Sequence, residues 1–551
     1  MSERKRIVIL GGGFGGVYTA KYLEKALGRR DDFEIILINK ENYFVFQPML
    51  PEVISGSIGL LDPVNPIRRL LPKTTVHVRE IEAVDLNKRE VVVSPGFLPH
   101  SHRIPFDYLV VAMGNVTDFR GLRGLPEHAI PFKNLADALY LRNHVIRALE
   151  EAAIEHEDPV LRKQLLTFVV AGGGFSGVEV VAEVNDFVRE VAKNYRGLDP
   201  SEIKVVLLHS QSRILPEVSE DLALFAQKIL TKRGVELRLN TRLEAATGEE
   251  AIIAGGERIP SRTLVSTVPS SPHPIIENLD LPKGKNARLI ANKFLEVEGA
   301  DRIYALGDCA MVPDPGTDGF CPPTAQHAIR QGKTIAINIV AAIRGGDKRA
   351  FDFKGLGKMG SLGRRSAVAE IMGLKVSGFL AWWLWRTIYL MKMPGWSRRL
   401  KVASSWTLDL ILPAELVELK LHRSAGITQE HFEPGETIFR QGDLGDRIYM
   451  VISGKAEAVR EGIDEEIVLA QINAGEFFGE MALLQQCART ATVRCLEPMD
   501  TLSLPKREFE MLTSYLPQLR ESLTQVMDAR SKMNEQKEKS PVMHKTPGLS
   551  S

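Results

Sequence analysis

Two glycine-rich turns carry the chemistry most easily read from this chain: Gly11-Gly-Gly13-Phe-Gly-Gly16 and Gly172-Gly-Gly174-Phe-Ser-Gly177. In a G-x-G-x-x-G turn the first two glycines admit the backbone to a pyrophosphate, and the third lets helix and strand pack closely. The phosphates then lie against exposed N–H groups at a helix N-terminus. One such turn alone is a weak signal, but two in the same strand-turn-helix context point to a protein that holds two dinucleotides at once. A third cluster lies near the carboxyl end, in Phe478-Gly479-Glu480 and Arg489-Thr490-Ala491. There Gly479 and Glu480 offer backbone N–H groups and a ribose-accepting carboxylate, and Arg489 a guanidinium for a phosphate. Thr490 adds a hydroxyl that can also meet a guanine amino group. Those are the parts needed for a cyclic nucleotide, cGMP or cAMP.

The elements that must place these residues follow from hydrophobic periodicity. Residues 7–38 read as strand, helix, strand, half of a doubly wound nucleotide-binding unit. The stretch from Val76 to Val93 alternates as strands with one wet face do, and Tyr108–Gly114 is a buried strand. Residues 160–270 repeat the scheme, with strands at Phe168–Ala171 and Lys204–Leu208, and Ile303-Tyr-Ala-Leu-Gly-Asp308 is a strand ending in an acid. The expected fold is therefore α/β: two doubly wound dinucleotide-binding domains, the second inserted in the first. A helix from Ala325 to Ala342 follows, then a membrane-associating segment, then a β jelly-roll barrel whose short strands are punctuated by glycine. The expected boundaries are 1–158 and 281–345 for the first domain, 159–280 for the second, 346–415 for the membrane-side segment, 423–530 for the barrel and 531–551 for a disordered tail.

The chain has 551 residues, too many for one core, and its charges nearly cancel to +1, so no global field attracts nucleic acid. Its four cysteines, Cys309, Cys321, Cys487 and Cys495, form no C-x-x-C pair and no zinc-ligand cluster, so neither a disulfide nor a metal site is expected. No cysteine precedes Cys309, which argues against sulfide oxidation and disulfide reduction at a flavin. The amino terminus leaves no room for a signal peptide before Ile7, so the expected location is the cytoplasmic side. Lys375 to Lys392 is the most aromatic stretch. Only ten residues separate Lys375 from Arg386, against the about 20 apolar residues a spanning helix needs. On a helix at about 100° per residue these two cations share a side, a pattern suited to lying in a membrane interface. The same pattern also suits a buried or dimer-forming helix. No helix-turn-helix follows the barrel, whose last helix is expected over Lys506–Met533.

Residues 5 to about 412 resemble the type II NADH:quinone dehydrogenases, flavoproteins with two dinucleotide-binding domains. The landmarks are the two glycine turns, Asn42-Tyr-Phe-Val-Phe-Gln-Pro48, Ala112-Met-Gly114, Phe132-Lys-Asn-Leu-Ala-Asp-Ala138, Gly307-Asp308, Pro322-Pro-Thr-Ala-Gln326, Leu362–Val368 and the tryptophan-rich stretch. The resemblance implies that FAD is held by Gly11, Gly13, Gly16, Asn39, Lys40, Ala112, Gly114 and Asp308. It implies that NADH or NADPH is held by Gly172, Gly174, Gly177 and His209, with Glu179 near the nicotinamide. Gln326 and Gln331 would border a quinone pocket. The implied activity is non-pumping, FAD-dependent NAD(P)H:quinone oxidoreduction on the cytoplasmic face of a membrane. The carboxyl-terminal segment is similar to cyclic nucleotide-binding domains of gene regulators, kinases and channels, which makes the nucleotide an expected effector.

Four places depart from the family pattern, one of them the usual glycine-bearing loop near residue 268, which reads Thr267-Val-Pro-Ser. Asn39 and His209 stand where ribose-holding acids are expected, and Arg330 stands for a glutamine. Loss of the carboxylate at His209 removes repulsion against a 2′-phosphate, and Arg213 could pair with one, so NADPH is open as a donor. Two other functions stay open: a soluble reductase of a ferredoxin or rubredoxin, and a signalling receptor whose flavoprotein part is a redox sensor. A homodimer through the carboxyl-terminal part of the flavoprotein is compatible with all three.

Overall fold

The computed structural model describes residues 4–530 except 29–31, 96–100, 120–121, 269, 413, 420–427, 444, 462–465, 486, 516–520, 522, 526 and 529. The expected tail, 531–551, lies outside the described residues. The chain forms two compact units, the first built from residues 1–93 and 103–419 and the second centred on residues 420–551.

Along the first unit run β1 (Lys5–Leu10), α1 (Phe14–Leu27), β2 (Phe33–Asn39), β3 (Thr75–Val78) and β4 (Tyr108–Val111). Next come β5 (Ala129–Pro131), α2 (Leu135–Ile154), β6 (Thr167–Ala171), α3 (Phe175–Val191), β7 (Lys204–Leu208), β8 (Val235–Arg238) and β9 (Thr263–Ser266). The chain then returns through β10 (Ile303–Ala305) and α4 (Ala325–Arg344). The first sheet is all parallel in the order β10-β4-β1-β2-β3. Its edge strand β10 thus comes from beyond the second sheet, which is parallel in the order β5-β9-β6-β7-β8. The insertion expected from the two glycine turns is the architecture observed. Continuous apolar runs build the central strands: Ile7–Leu10 and Leu109–Val111 are completely buried, as strands covered by helices on both faces must be.

The two turns fold alike. A Cβ at Gly16 would land on the carbonyl oxygen of Gly11, and one at Gly177 on that of Gly172, so only glycine lets each helix rest on its strand. Asn134 and Asp137 start α2 with a reciprocal capping box, Asp137 N donating to Asn134 Oδ1 at 3.0 Å. The stretch 76–93 divides its loyalties: Thr75–Val78 joins the parallel sheet as β3, while 81–85 and 90–93 pair antiparallel with each other.

The first unit ends in an antiparallel sheet of β11 (Gly357–Ser361), β12 (Ala367–Ile371) and β13 (Leu374–Ser377), then α5 (Gly378–Lys392) and α6 (Trp396–Leu408). This corrects the expected arrangement of the aromatic stretch. Lys375 is not on the helix: it lies in β13, where strand pairing with Glu370 captures it, and its ammonium meets Asp221 at 3.0 Å. Helix α5 starts only at Gly378, whose φ of +73° turns the chain out of the strand. Arg386 points the other way, into the protein. No helix among the described residues is long and apolar enough to cross a membrane.

The second unit is a barrel of two antiparallel four-stranded sheets. Its elements are β14 (Thr428–Phe432), β15 (Thr437–Phe439), β16 (Arg447–Ser453), β17 (Lys455–Glu461), β18 (Glu466–Asn473), β19 (Phe477–Phe478), α7 (Glu480–Leu484), β20 (Thr492–Cys495), β21 (Met499–Pro505) and α8 (Lys506–Tyr515). The orders are β14-β21-β16-β19 and β15-β20-β17-β18. Tyr449, Val451, Ile472, Phe478, Val493 and Met499 fill the space between the sheets. Of the helix expected over 506–533, α8 covers Lys506–Tyr515 and further helical residues lie between 521 and 530, while 516–520 lie outside the described residues. Met533 lies outside the described residues.

Candidate functional site

Both α1 and α3 begin without a side-chain cap and without an acid in the first turn, so their leading N–H groups are left for an anion. A Cβ at Gly13 or Gly114 would meet no described atom within 4 Å, so the backbone there faces open space. An uncapped helix end beside open glycine backbone fits a dinucleotide diphosphate. Behind the first turn, Gly12 N donates to Asn39 Oδ1 at 2.8 Å and Asn39 Nδ2 donates to the Glu41 carbonyl at 2.8 Å. The amide of Asn39 is thus used to hold the loop. A carboxylate does stand beside Asn39: Glu41 Oε2 accepts Asn39 Nδ2 at 3.4 Å and its Oε1 pairs with Lys40 at 3.4 Å, and sequence reasoning missed it because it lies two residues past the strand end. Ala112 N donates to the Leu10 carbonyl at 2.9 Å, bringing β4 against the turn.

Asp308 lies in the tight turn after β10. Burial pushes its carboxyl upward, opposed by Lys133 and Arg288. Lys133 was overlooked as a site residue, although it belongs to the Phe132–Ala138 landmark; burial lowers its ammonium and Asp308 supports it. Gln331 is buried and its Oε1 accepts Gly307 N at 2.8 Å, so it braces the Asp308 turn from α4.

At the second turn, Gly173 N donates to His209 Nδ1 at 3.1 Å. Burial lowers the imidazole below the usual histidine range, with the Arg213 backbone opposing, so His209 is neutral near pH 7. Arg213 is engaged elsewhere, donating to the carbonyls of Val218 at 3.0 Å and Pro216 at 3.4 Å. Thr267 Oγ1 donates to the Ala171 carbonyl at 3.0 Å and closes the turn from the opposite side.

Glu179 of α3 and Tyr389 of α5 are electrostatically coupled. Glu179 Oε1 accepts Ser361 N at 3.1 Å, and burial, aided by the charge of Glu52, pushes its carboxyl up to about 8 against the Ser361 bond. Burial first and then Glu179 raise the phenol of Tyr389 on α5. Tyr389 also stands edge-on to Phe46 at 6.0 Å and to Trp385 at 4.9 Å, and Phe46 stands edge-on to Phe14 of the first turn at 5.7 Å. An aromatic path therefore joins the first glycine turn to the tryptophan helix. On α4, Gln326 is clamped to β11: its Nε2 donates to the Gly357 carbonyl and its Oε1 accepts Leu356 N, both at 3.1 Å. Arg330 donates to the Gln326 carbonyl at 3.0 Å and lies 3.9 Å over the Phe353 ring. Burial, and then Arg330, lower the ammonium of Lys392, which ends α5 and was also missed.

Beside this site, a cavity of about 440 Å³ is lined by Glu52, Glu183, Asp186, Trp382, Arg386 and Asp409, among others. Arg386 meets Glu52 at 3.3 Å and lies 4.2 Å over Trp382 and 4.6 Å over Trp406, whose Nε1 donates to Glu52 at 2.9 Å. Glu183 is pushed up to about 8 by burial and by Glu52. Phe379, Leu380 and Trp383 of α5 and Trp396 and Leu400 of α6 are exposed.

In the barrel, a cavity of about 350 Å³ is lined by Phe439, Leu469, Phe478, Glu480, Arg489 and Thr490, among others. Gly479, with φ +86°, opens α7. Arg489 is buried, donating to the carbonyls of Gly479 and Arg447 at 2.8 Å each and meeting Asp446 at 3.3 Å. The four cassette residues expected from sequence thus converge on one cavity.

Three family profiles match the chain. Pyridine nucleotide-disulphide oxidoreductase matches residues 5–332, NDH2 C-terminal domain matches 356–412 and cyclic nucleotide-binding domain matches 429–515. The type II NADH:quinone oxidoreductase NdhA of Mycobacterium tuberculosis is 32% identical over 426 residues, 74% of this chain and 87% of its own length. The type II NADH:quinone oxidoreductase of Staphylococcus epidermidis is 30% identical over 391 residues, 70% of this chain and 94% of its own. Among solved structures, NDH2 from Plasmodium falciparum in complex with NADH superposes with a TM-score of 0.70 at 19% identity, covering 75% of this chain and all of that one.

Proposed function

The chain belongs to the type II NADH:quinone oxidoreductase family, and from that premise we propose that it is an FAD-dependent NAD(P)H:quinone oxidoreductase carrying a cyclic nucleotide-binding effector domain. The observation that carries this reading is the pair of uncapped glycine-turn helices, the first linked through Phe14 and Phe46 to Tyr389 of α5, whose phenol feels the charge of Glu179 of α3.

Residues 1–158 and 281–345 are assigned to FAD, apart from β5, which pairs with β9 in the second sheet, and 159–280 are assigned to the nicotinamide cofactor. Gly11, Gly13 and Gly16 with α1 seat the FAD diphosphate, flanked by Ala112 and Gly114. Asn39 orders the ribose loop beside Lys40, and Asp308, beside Lys133, faces the ribityl region. Gly172, Gly174 and Gly177 with α3 seat the second diphosphate, and His209 faces its adenosine ribose. FAD held there would supply two-electron transfer between NAD(P)H and the quinone. The overall reaction consumes one proton from the medium: NAD(P)H, H⁺ and quinone give NAD(P)⁺ and quinol, with no proton pumped. Glu179, protonated at neutral pH, is the group we assign to supply that proton, because a carboxyl with a pKa near the working pH both holds and releases it. Gln326 and Gln331 act by fixing α4 against β11 and against the Asp308 turn, so that quinone meets a rigid wall.

Residues 346–415 carry exposed aromatic and aliphatic side chains on α5 and α6, which support peripheral association with the cytoplasmic membrane surface. The amphipathic face is formed by α5 and α6 rather than by the whole of 375–392. Flotation with liposomes should be lost on joint Phe379→Ser and Trp383→Ser substitution; persistence would place the membrane contact elsewhere.

One cuvette tests the reaction. Purified protein should show flavin absorbance, bleach with NADH or NADPH, and recolour on addition of a soluble quinone. A colourless protein that FAD does not reconstitute would overturn the redox reading. Recolouring only by a ferredoxin or rubredoxin would favour the soluble reductase. The barrel, residues 423–530, is the effector domain; cGMP or cAMP should change NAD(P)H oxidation, and binding without such change would reduce it to a tether.

A further inference from the structure

Glu480 is the carboxylate that the barrel offers to a ribose hydroxyl, and in this structure it already has a cationic partner. Nη1 of Arg530 meets Glu480 Oε1 at 2.9 Å and donates to the Phe477 carbonyl at 2.6 Å, while the guanidinium lies 5.1 Å over the Phe477 ring. The Glu480 side chain is 2% exposed. A carboxylate so buried is costly unless it is paired and hydrogen-bonded.

Arg530 reaches it from the helical residues between 521 and 530. That segment is docked by Leu523, which packs in one apolar cluster with Leu483 of α7, Ile448 and Phe509. The segment therefore touches the same short helix whose first residue is Glu480. Arg489, the expected phosphate partner, is likewise turned inward onto the Gly479 and Arg447 carbonyls and Asp446. Both side chains that would read the ligand are thus engaged within the barrel, although the buried Nε of Arg489 has no hydrogen-bond partner among the described residues, and Arg530 lines the same cavity.

We propose that Arg530 is an internal competitor of the cyclic nucleotide: ligand entry removes its guanidinium from Glu480 and frees the 521–530 segment, so that occupancy is read at the carboxyl-terminal end. This rests on the reading of the barrel as a cyclic nucleotide site. A ribose hydroxyl can replace only one of the two bonds Arg530 gives up, so the Arg530-bound state lowers the apparent affinity by the fraction of chains in which Glu480 is free.

The test is titration calorimetry of cAMP and of cGMP into the full-length chain, its Arg530→Ala and Arg530→Lys variants, and a chain ending at Asp528. Arg530→Ala and the shortened chain should bind about tenfold tighter than the unaltered chain, with Arg530→Lys in between. In the unaltered chain, the bound nucleotide should also speed amide exchange in 521–530. Binding by Arg530→Ala alone would support the competitor in its strongest form. Equal affinity in all four chains would overturn the competitor while leaving the nucleotide site standing. Weaker binding by Arg530→Ala and the shortened chain would make Arg530 a ligand contact, which also overturns it. If none of the four binds either nucleotide, the nucleotide reading falls and the competitor with it.

Discussion

Nδ1 of His209 accepts the backbone N–H of Gly173 at 3.1 Å, the same service that Asn39 Oδ1 performs for Gly12 at 2.8 Å. An imidazole that accepts on Nδ1 carries its proton on Nε2. The end of β7 therefore presents a neutral donor in place of a carboxylate, and Arg213 is tied to the carbonyls of Val218 and Pro216.

His209→Glu should restore discrimination against NADPH. A carboxylate facing a 2′-phosphate costs several kcal/mol, so the ratio of kcat/KM for NADH over NADPH should rise about 100-fold. Steady-state kinetics with both donors reads this directly; an unchanged ratio would show that His209 does not face the ribose.

Gly177→Ala should separate the two cradles. The added methyl collides with the Gly172 carbonyl, so NAD(P)H should no longer bleach the flavin while dithionite still does, and the yellow colour should persist. Gly16→Ala, which collides with the Gly11 carbonyl, should instead lower FAD content on purification. Absorbance spectra of both variants distinguish the sites.

The raised carboxyl of Glu183 predicts a stability that falls with pH. Unfolded, this group loses its proton near 4.5, but in the folded chain it does so at about 8. Between those values the folded state holds one more proton than the unfolded, so stability is full below the lower value and declines as pH rises toward the upper one. Glu183→Gln removes that decline. Its melting temperature should exceed that of the unaltered chain at pH 9 by about 2 °C or more and match it most closely below pH 5.

Glu179 should control a descending limb of activity. With a carboxyl near 8, the protonated form needed for quinol formation is depleted above that pH, so kcat should fall there. Glu179→Gln should lower kcat at pH 7 and abolish the limb, with flavin reduction by NADH in single turnover less affected than overall turnover.

Arg386→Leu leaves the buried Glu52 without its cation, an error worth about 3–5 kcal/mol. Adding Glu52→Gln should recover much of the loss, since the buried carboxylate is then gone and Asp409, the other acid paired with Arg386, is partly exposed. Chemical denaturation of the two variants measures this; equal stability of single and double variants would show that the pair carries no charge cost.

Much of this protein was legible in its sequence because the informative patterns are local. A glycine turn after an apolar run needs no distant partner to be recognised, and the two turns implied the nested sheets, with β10 completing the first. Phe-Gly-Glu and Arg-Thr-Ala likewise announced one barrel cavity. The difficult stretch was 375–392, where helical periodicity placed Lys375 and Arg386 on one side. Pairing of β13 with β12 took Lys375 out of the helix, and periodicity cannot register a hydrogen bond to another strand.

Residue types and spacing by themselves determined that two dinucleotide cradles and a cyclic nucleotide cassette exist, since each is a contiguous motif whose backbone geometry only certain residues allow. The tertiary structure alone decided which side chains face each other. It put Tyr389 within the field of Glu179, turned Arg386 onto Glu52, occupied Arg213 with carbonyls and brought Arg530 to Glu480. Burial and charge pairing depend on atoms far apart in the chain, and those distances come into being only when the sheets and helices pack.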